Sequence, residues 1–462
     1  MDAFNNTRVT VMGLGRFGGG VGVTRWLAER GARLIVTDIE PAEKLAGSVV
    51  KIQDLVSSGQ VTLRLGGHDE ADFAGAQVVV ANPAVPSPWK NRYLAAAERA
   101  GAKITTEIGL SVALLDPSRL VCVTGSAGKS TTSALIAHIL ERAGEAVRFG
   151  GNIGGSLLRA GKEEEAEITG GTPMPRERVG RKDSPWVVLE LSSFQLYWLG
   201  REMGGPRARV ALVTNIAHNH LDWHETFEHY VQSKQVILAG QAAGSVAILG
   251  ENVRDWPTAS GVERRVIGAG ARVPGLAIPG RHNEVNAAMA GAAAAALGVP
   301  GLHEARALEL ARDFAGLPHR LQMVGKVQGV ACYNDSKATT PEATLLAVEA
   351  MRESGMPVHL IAGGYDKHAD LTPVAGLASG REGVLAGLYT IGATGPAIAA
   401  AAGGRAMECG TLEKAVAGAL AKAAAGEAIL LSPACASWDQ FENYEQRGEL
   451  FAALVKHAGA EP

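Results

Sequence analysis

Short runs of apolar and β-branched residues alternate along the whole chain with Ala- and Leu-rich stretches of helical periodicity. Strands that recur in this way between helices are joined by crossover connections, so they favour parallel sheets covered by helices. The runs that predict strands are VTVMG, ARLIVTD and AQVVVANP, then LVCVTG, WVVLEL, VALVTN and VAIL, then VACYND, VHLIAG, LYTIG and AILLS. The sequence therefore predicts an α/β protein made of three such units.

Length and charge narrow the possible functions. A chain of 462 residues is too long for one ordinary domain, so two to four are expected. A net charge of −3 argues against a protein that binds nucleic acid by neutralising its phosphates. The four cysteines have no C-x-x-C spacing, which argues against a disulfide framework or a zinc knuckle.

The ends and the linkers of the chain carry weaker signals. The first residues, MDAFNNTRVT, lack a basic segment followed by an apolar one, and no apolar run reaches about 18 residues. We therefore expect a cytoplasmic protein without membrane insertion. The segment at about 161–183 is polar and rich in Gly and Pro, which predicts a surface insertion or a disordered loop.

A glycine-rich turn follows the first predicted strand. Gly13, Gly15 and Gly18 form G-x-G-x-x-G, and Asp38 ends the next strand, as in a dinucleotide-binding fingerprint. Glycines allow a tight turn, and the N-terminus of the following helix offers unpaired N–H groups to a phosphate. The motif does not distinguish NAD from another diphosphate, and a turn that binds no ligand is the alternative.

A second glycine-rich loop, TGSAGKST, lies between a buried strand and an apolar helix, although the first glycine of the usual phosphate loop is absent. Gly125 and Gly128 keep the loop open. Lys129 can reach the outer phosphates of a nucleotide, and Ser130 or Thr131 can present a hydroxyl to Mg²⁺. The alternative is that this segment only caps a helix.

Two further segments offer metal ligands. Glu190 ends the buried strand WVVLEL, where a second ligand of a nucleotide-bound metal would lie, although such a residue can also be a helix cap. The loop TNIAHNHLDWHETF brings together four ligand-type residues, His218, His220, Asp222 and His224. A zinc hydrolase motif would need Asp222 next to the last histidine, but Trp223 separates them. The phosphate loop favours Mg²⁺, and a solvated polar loop is the alternative.

Taken together, these motifs resemble the Mur ligases over nearly the whole chain outside 161–183. The matching segments are TGSAGKST, GGNIG (150–154), LELSSFQL (189–196), NIAHNHLDWH, GRHNEVNAAMA (280–290), GLPHR (316–320), NDSKAT (334–339) and LLSPACASWDQFENYEQRG (430–448). Within the family, they are most similar to the members that add D-glutamate to UDP-N-acetylmuramoyl-L-alanine. The resemblance implies an ATP-dependent amide ligase of peptidoglycan precursor synthesis that forms an acyl phosphate.

The same resemblance implies three domains and a monomer. A Rossmann-like domain at 1–108 would bind the UDP substrate through its glycine turn. A central P-loop ATPase-like domain with a parallel sheet, at 109–317, would bind ATP. A Rossmann-like domain at 318–462 would bind the amino acid and close on ATP.

Site residues are carried over from the family motifs one by one. The resemblance implies that Lys129, His220, Lys234 and Asn152 act in catalysis. Two Mg²⁺ ions would be held by Ser130, Glu190, His220 and Lys234, the last as a carbamate. The ATP-binding residues would be Gly125, Gly128, Lys129, Ser130, Thr131, Asn283, Asn286, Arg320 and Asp335. The UDP-substrate residues would be Gly13, Gly15, Gly18, Asp38 and Gln195, and those for the amino acid Lys337, Thr339, Lys367, Ser437 and Tyr444.

Some positions depart from the family pattern. Ala127 stands where an Asn is common, Asn219 replaces an Asp, and His218 also differs. Two alternatives follow: a related Mur-type ligase that adds another amino acid such as L-glutamate, and a nucleotide-binding protein without catalysis. The residues of the third unit distinguish the first alternative from a D-glutamate-adding ligase, since a diaminopimelate- or lysine-adding enzyme should carry an arginine-bearing motif there.

Overall fold

The computed structural model of the chain describes residues 4–16, 18–152, 156–158, 185–367, 369–378 and 385–461. The predicted insertion at 161–183 and the end of the GGNIG segment lie outside the described residues. The strands are β1 Arg8–Met12, β2 Arg33–Asp38, β3 Val61–Leu65, β4 Val78–Ala81, β5 Lys103–Thr106, β6 Leu120–Thr124, β7 Val147–Gly151, β8 Trp186–Glu190, β9 Val210–Val213, β10 Val246–Gly250, β11 Glu263–Ile267, β12 Gln322–Val327, β13 Val330–Asn334, β14 Val358–Gly363, β15 Leu385–Ile391, β16 Ala406–Gly410 and β17 Ala428–Leu431.

Helices alternate with these strands. The α-helices are α1 Gly19–Glu29, α2 Ala46–Val50, α3 Gln53–Ser57, α4 Glu70–Ala74, α5 Arg92–Arg99, α6 Glu107–Ala113, α7 Lys129–Arg142, α8 Ser193–Met203, α9 Leu221–His224, α10 Phe227–Ala239, α11 Arg281–Ala295, α12 Glu304–Ala311, α13 Pro341–Glu353, α14 Thr372–Gly376, α15 Gly395–Ala401, α16 Leu412–Leu420 and α17 Tyr444–His457. Short 3-10 turns lie at Ala42–Leu45, Pro88–Lys90, Pro117–Arg119 and Glu251–Val253.

The strands form three sheets, as the recurring sequence pattern predicts. Their orders are β3-β2-β1-β4-β5, β11-β10-β9-β6-β8-β7 and β12-β13-β17-β14-β15-β16. The first two sheets are parallel throughout. In the third, β12 pairs antiparallel with β13, and the other strands are parallel. The α/β prediction is confirmed, with one antiparallel edge strand as the difference.

Strand order fixes where sites can form, because ligands of open α/β sheets bind beyond the carboxyl ends of the strands where the order reverses. In the first sheet β1 lies between β2 and β4, so the glycine turn after β1 is at this point. In the second sheet β6 lies between β8 and β9, so the ends of these three strands are adjacent. In the third sheet β13 and β14 flank β17, which brings the loops after these strands together.

The cores are continuous apolar layers on both faces of the central strands. Val121, Cys122 and Val123 of β6 are fully buried, as are Leu189 of β8 and Leu212 of β9. Burial on both faces is why these strands read as unbroken apolar runs in the sequence. Each fully buried Val or Leu contributes about 1.5–3 kcal/mol. The strands are therefore rigid supports for the polar loops that follow them.

By internal contacts, the chain divides into two compact units. One consists of 1–269 with 289–307 and holds the first two sheets; the other consists of 270–288 with 308–462 and holds the third sheet. The division into three domains with boundaries after 108 and 317 stays a prediction. In the described residues, no helix is long and apolar enough to cross a membrane.

Candidate active site

The phosphate loop occupies the turn between β6 and α7. Gly125 has φ of 149°, and a Cβ there would lie 1.8 Å from the hydroxyl oxygen of Thr214. Gly128 has φ of 80° and caps the N-terminus of α7 in the left-handed region. Both positions therefore require glycine. Because α7 begins at Lys129, the half-buried Ser130 and Thr131 lie in its first turn, where unpaired N–H groups favour an anion.

The segment after β9 braces this loop from the side. The side-chain oxygen of Asn215 accepts from the Ala127 N–H at 3.0 Å, and its amide nitrogen donates to the Ala127 carbonyl at 3.1 Å. The Thr214 hydroxyl donates to the same carbonyl at 2.6 Å. The Ser126 hydroxyl lies 2.8 Å from that of Tyr230. The backbone of Ala127 is thus held by an amide side chain from the neighbouring strand.

Two lysines lie beside the loop in different environments. The Lys129 ammonium donates to the Ser126 carbonyl at 3.2 Å, and the residue is half-buried. Lys234, on α10, is 2% exposed, and its amine donates to the Gly125 carbonyl at 2.8 Å and the Thr124 hydroxyl at 3.2 Å. Burial lowers the pKa of Lys234 well below its usual value, and the charge of Lys129 acts in the same direction while Glu190 opposes it.

Glu190 and Asn152 meet at the adjacent ends of β8 and β7. Glu190 is 1% exposed, and its Oε1 accepts from the Asn152 amide at 3.1 Å. The Asn152 backbone N–H donates to the Glu190 carbonyl at 2.8 Å. Gly151 permits this approach, because a Cβ there would lie 2.2 Å from the Glu190 carbonyl oxygen. Glu190 Oε2 is buried and has no hydrogen-bond partner among the described residues.

His220 lies at the start of α9, with φ of 53° and an exposed side chain. Its ring packs edge-on against Phe194 at 4.8 Å between centroids. Partial desolvation lowers the pKa of the His220 imidazole; Asp222 opposes this shift, while Lys234 and Lys129 reinforce it. The ring is therefore neutral at physiological pH, which is the form that binds metals.

These residues fit a magnesium-bound nucleotide. The orphaned, buried Glu190 Oε2 lacks a partner that a cation would supply, and an oxygen donor is what Mg²⁺ prefers. The described residues contain no cluster of three His, Cys, Asp or Glu side chains that could hold a metal.

The glycine turn of the first sheet has the predicted backbone. Gly13, Gly15 and Gly18 all have positive φ, at 97°, 63° and 88°. Asp38 is 6% exposed, and its carboxylate accepts from the N–H groups of Gly15 and Glu40, both at 2.9 Å. Asp38 therefore holds the turn itself in shape, whether or not it also contacts a ligand.

Gln195 lies in the first turn of α8. Its side-chain oxygen accepts from the Ser192 N–H at 3.0 Å, and its own N–H donates to the Ser192 hydroxyl at 3.2 Å. This reciprocal pair is a capping box, which satisfies two N–H groups at the start of α8. The predicted contact of Gln195 with a substrate stays a prediction.

The residues predicted for the nucleotide in the C-terminal unit fall into two pairs. Asn283 and Asn286 are buried on α11; the Asn283 amide donates to the Pro279 carbonyl at 2.6 Å, and the Asn286 amide to the Asn283 oxygen at 3.4 Å. Arg320 is exposed. Asp335 follows β13, and its carboxyl accepts from the Leu321 N–H at 3.1 Å and the Ser432 hydroxyl at 2.8 Å. Burial raises the pKa of Asp335 to about 7.

A cleft of about 170 Å³ opens in the C-terminal unit beside the loops after β13, β14 and β17. Thr339 and Lys367 line it, together with Tyr365, Asp366 and Cys435. The structure thus brings two of the five residues predicted for the amino acid to one cleft.

The other three residues are placed differently. Ser437 is 2% exposed on the loop after β17. Lys337 lies with its ammonium 5.0 Å from the Tyr444 ring centroid. Lys367 itself lies 4.9 Å above the ring of Trp438, which is the residue after Ser437.

Arg447, on α17, is a residue that the sequence did not single out. It is completely buried, and its guanidinium donates to the Ser336 hydroxyl and carbonyl and to the carbonyls of Cys435 and Ala436, at 2.9–3.2 Å. It therefore joins the loop that carries Lys337 to the loop that carries Ser437. The sequence signal was its position in NYEQRG, but Ser336, which it holds, lies 111 residues away in the sequence.

Replacing Arg447 with Lys should damage recognition of the amino acid, which the sequence predicts at Lys337 and Ser437, more than that of ATP. A single ammonium does not reproduce the planar fork, so buried carbonyls lose their donors at a cost of about 3 kcal/mol. We expect the KM for the amino acid to rise about 100-fold, as for a displacement of about 1 Å, with the KM for ATP changed far less. Steady-state kinetics measures both. Arg352→Met, at an exposed pair with Glu349, is the control; equal shifts in both KM values would contradict this role.

Asp335 should make the stability of the C-terminal unit pH-dependent. Its folded pKa of about 7 lies above the usual value of about 3.9, so the folded state binds a proton that the unfolded chain has lost. The contribution of the protonated Asp335 carboxyl to the free energy of unfolding is full below about pH 4. It falls as the pH rises to about 7, and above that the contribution no longer changes. The total is at most about 4 kcal/mol. Asp335→Asn should flatten thermal-melting profiles in this window, whereas Asp370→Asn, an exposed control, should leave the slope in place.

Comparison with known proteins identifies the family. Residues 123–273 match the model of the Mur ligase middle domain, and residues 319–435 match that of the Mur ligase glutamate ligase domain. The UDP-N-acetylmuramoylalanine–D-glutamate ligase of Anaeromyxobacter dehalogenans (strain 2CP-C) is 36% identical, with 97% of each chain covered. The chain belongs to the Mur ligase family. A ligase of the same name from Geobacter metallireducens (strain ATCC 53774 / DSM 7210 / GS-15) is 35% identical over 98% of this chain and 97% of its own.

Solved Mur ligase structures have the same fold. The UDP-N-acetylmuramate–alanine ligase MurC of Thermotoga maritima matches with a TM-score of 0.54 at 15% identity, covering 98% of this chain and 100% of that one. The MurF ligase of Thermotoga maritima, solved in complex with ADP, matches with a TM-score of 0.51 at 14% identity, covering 98% of this chain and 96% of its own. The Mur ligase described here is an ATP-dependent ligase with the family fold.

Proposed function

We propose that this Mur ligase joins D-glutamate to UDP-N-acetylmuramoyl-L-alanine, with ATP as the source of energy, in peptidoglycan precursor synthesis. The observation that carries the proposal is the full-length similarity to ligases of that name. The glycine turn, the phosphate loop and the cleft in the C-terminal unit supply sites of suitable chemistry for three substrates. The reaction requires all three, because a carboxylate does not react with an amine until its oxygen becomes a leaving group.

The first step is transfer of the γ-phosphoryl group of ATP to the carboxylate of the alanyl substrate, which forms an acyl phosphate. The amine of D-glutamate then attacks the acyl carbon, and the tetrahedral intermediate expels inorganic phosphate. Lys129 and the N–H groups of the first turn of α7 would bind the phosphates. Positioned cations and N–H groups stabilise the charge that spreads over the transferring phosphoryl group.

Two Mg²⁺ ions would be held by oxygen and imidazole ligands around the phosphate loop. Ser130 and Glu190 would bind the first, and His220 and carbamylated Lys234 the second. Bound Mg²⁺ neutralises phosphate charge and orients the oxygens of the reacting groups. Asn152 donates to Glu190 Oε1 and so fixes the direction of that carboxylate.

The remaining predicted residues would recognise the ends of the substrates. Gly13, Gly15 and Gly18 would admit the UDP diphosphate to the N-terminus of α1, and Asp38 holds their turn in shape. Asn283, Asn286 and Arg320 would lie at the nucleotide. Lys337, Thr339, Lys367, Ser437 and Tyr444 would bind D-glutamate, since a substrate with two carboxylates requires cationic and hydroxyl partners. A monomeric state and a cytoplasmic location stay predictions.

An amino-acid panel tests the proposal. ADP release is measured with Mg·ATP and UDP-N-acetylmuramoyl-L-alanine while both enantiomers of glutamate, L-lysine and meso-diaminopimelate are supplied in turn. D-glutamate alone should give rapid release. Release with L-glutamate instead would establish the related ligase, and binding of ATP without release for any amino acid would establish a nucleotide-binding protein without catalysis.

A further inference from the structure

One loop of the N-terminal sheet, residues 82–90, connects two parts of the proposed site. At its start, Asn82 packs against the glycine turn so closely that a Cβ on Gly13 would lie 2.9 Å from its own Cβ. At its end, the 3-10 turn Pro88–Lys90 contacts α9 through Trp89 and Trp223, and His220 is the residue that precedes this short helix. The loop therefore spans from the turn proposed for UDP to the helix proposed to hold a metal ligand.

The polar contact at this end converges on one carboxylate oxygen. The Ser87 hydroxyl and the Lys90 ammonium donate to Glu225 Oε1 at 3.0 Å and 2.6 Å. Glu225 is the residue that follows α9. The side chains of Lys90 and Glu225 are 64% and 40% exposed, so solvent screens this ion pair and by itself it contributes little.

The apolar contact is more extensive. Trp89 packs edge-on against His229 and Trp223, with centroid distances of 4.6 Å and 5.5 Å. Trp223 lies within α9 and packs on Phe194 at 4.7 Å, and Phe194 packs on His220 at 4.8 Å. A continuous chain of ring contacts thus joins Trp89 to His220. Aromatic pairs of this kind stabilise a structure beyond the effect of their buried area.

α9 needs this external support. It has only four residues, fewer than an isolated helix needs to be stable. The residues at its two ends, His220 and Glu225, have φ of 53° and 65° although neither is glycine. Such backbone conformations are strained for residues other than glycine and persist only where neighbouring contacts fix them. The loop 82–90 contacts α9 at its centre, through Trp223, and at its C-terminal end, through Glu225.

We propose that Trp89 and Lys90 are positioning residues for His220: they hold α9 in the conformation that places this imidazole at the phosphate site. Trp89 carries the larger part, because Lys90 acts through an exposed ion pair. The role assigned to His220 rests on the proposed function, but the support of α9 by Trp89 does not. Removal of the indole should loosen α9 and leave the phosphate loop, which Thr214 and Asn215 brace, in place.

Hydrogen–deuterium exchange of the full-length protein without ligands tests the structural half. In Trp89→Ala, amides in the peptide 218–226 should exchange about 10-fold faster, which corresponds to a loss of about 1.4 kcal/mol, and amides in 120–142 should be unchanged. Trp89→Phe should restore most of the protection. A second variant, Lys90→Met, removes the exposed pair with Glu225. Its matched control is Arg99→Met, which breaks an exposed pair with Glu70 between α5 and α4. Unchanged exchange in 218–226 of Trp89→Ala would overturn the proposal.

Kinetics tests the catalytic half. Trp89→Ala should lower kcat about 10-fold, because His220 is displaced. The KM for UDP-N-acetylmuramoyl-L-alanine should stay within about twofold of wild type, because the glycine turn is intact. Lys90→Met should lower kcat about twofold, and Trp89→Phe should recover most of the wild-type value. A rise of about 10-fold in the KM for UDP-N-acetylmuramoyl-L-alanine with unchanged kcat in Trp89→Ala would overturn the proposal. If wild-type protein formed no ADP, the proposed function would fail, and the exchange experiment would still decide the support of α9.

Discussion

Lys129→Ala is expected to lower ATP-dependent turnover by about 10³-fold, close to complete loss in an ordinary assay. Lys129 is the first residue of α7, and its ammonium lies against the Ser126 carbonyl inside the phosphate loop. In this position it is the cation that can meet the negative charge of the outer phosphates. Its removal leaves the N–H groups of the loop, which bind phosphate but supply no full positive charge.

The measurement is ADP release at saturating Mg·ATP, UDP-N-acetylmuramoyl-L-alanine and D-glutamate. Lys414→Ala, on the exposed face of α16, controls for the loss of a lysine. A thermal melt of Lys129→Ala shows whether the fold persists; we expect little change, because the side chain is half-buried and Gly125, Gly128 and Asn215 shape the loop. Turnover within tenfold of wild type would refute the role of Lys129.

The central strands of every sheet could be predicted from the sequence, whereas the edge strands could not. Each predicted run corresponds to a strand of the structure. The strands of the described region that the apolar runs did not indicate are β3 and β5, β7 and β11, and β12 and β16, which are the two edges of each sheet. Edge strands bury only part of their surface; β11, for example, reads ERRVI and β16 reads AMECG. Their pairing depends on a neighbour that the local sequence does not encode.

The same distinction applies to the candidate site. Residues within one contiguous motif could be predicted, because the strand–loop–helix context of TGSAGKST fixes where Gly125, Gly128 and Lys129 must lie. The residues that brace these motifs could not be found in this way. Asn215 holds Ala127 across 88 residues of sequence, and Arg447 holds Ser336 across 111. These contacts exist only after the strands are ordered in a sheet.

The departure at Ala127 also has a physical context. Ala127 lacks the amide side chain of the Asn that is common at this position in the family pattern. In the structure, the amide of Asn215 makes two hydrogen bonds with the Ala127 backbone, so the loop is held from the neighbouring strand. Alanine itself has no polar side chain to offer a phosphate at this position.

Lys234→Ala is expected to lower kcat by about 10²–10³-fold, and short carboxylic acids such as acetate or formate should restore part of the activity. Lys234 is 2% exposed, next to the phosphate loop, and burial disfavours its ammonium form. Addition of its neutral amine to CO₂ forms a carbamate and releases one proton. The product is an oxygen donor in place of a cation, which suits Mg²⁺. Deletion of the side chain leaves a space in which a small carboxylate can supply the lost oxygen atoms.

Lys129→Ala is the matched control for this rescue, because both variants remove a lysine beside the same loop. The acids should restore turnover in Lys234→Ala and have no effect in Lys129→Ala, where the missing group is a cation. Carbon-13 NMR of wild-type protein equilibrated with labelled bicarbonate should show a carbamate signal that is lost in Lys234→Ala. Failure of the rescue together with no such signal would remove carbamylation from the proposal. Rescue of both variants alike would mean that the acids act on the loop in general, and Lys234 would then be a packing residue whose amine only holds the Gly125 carbonyl.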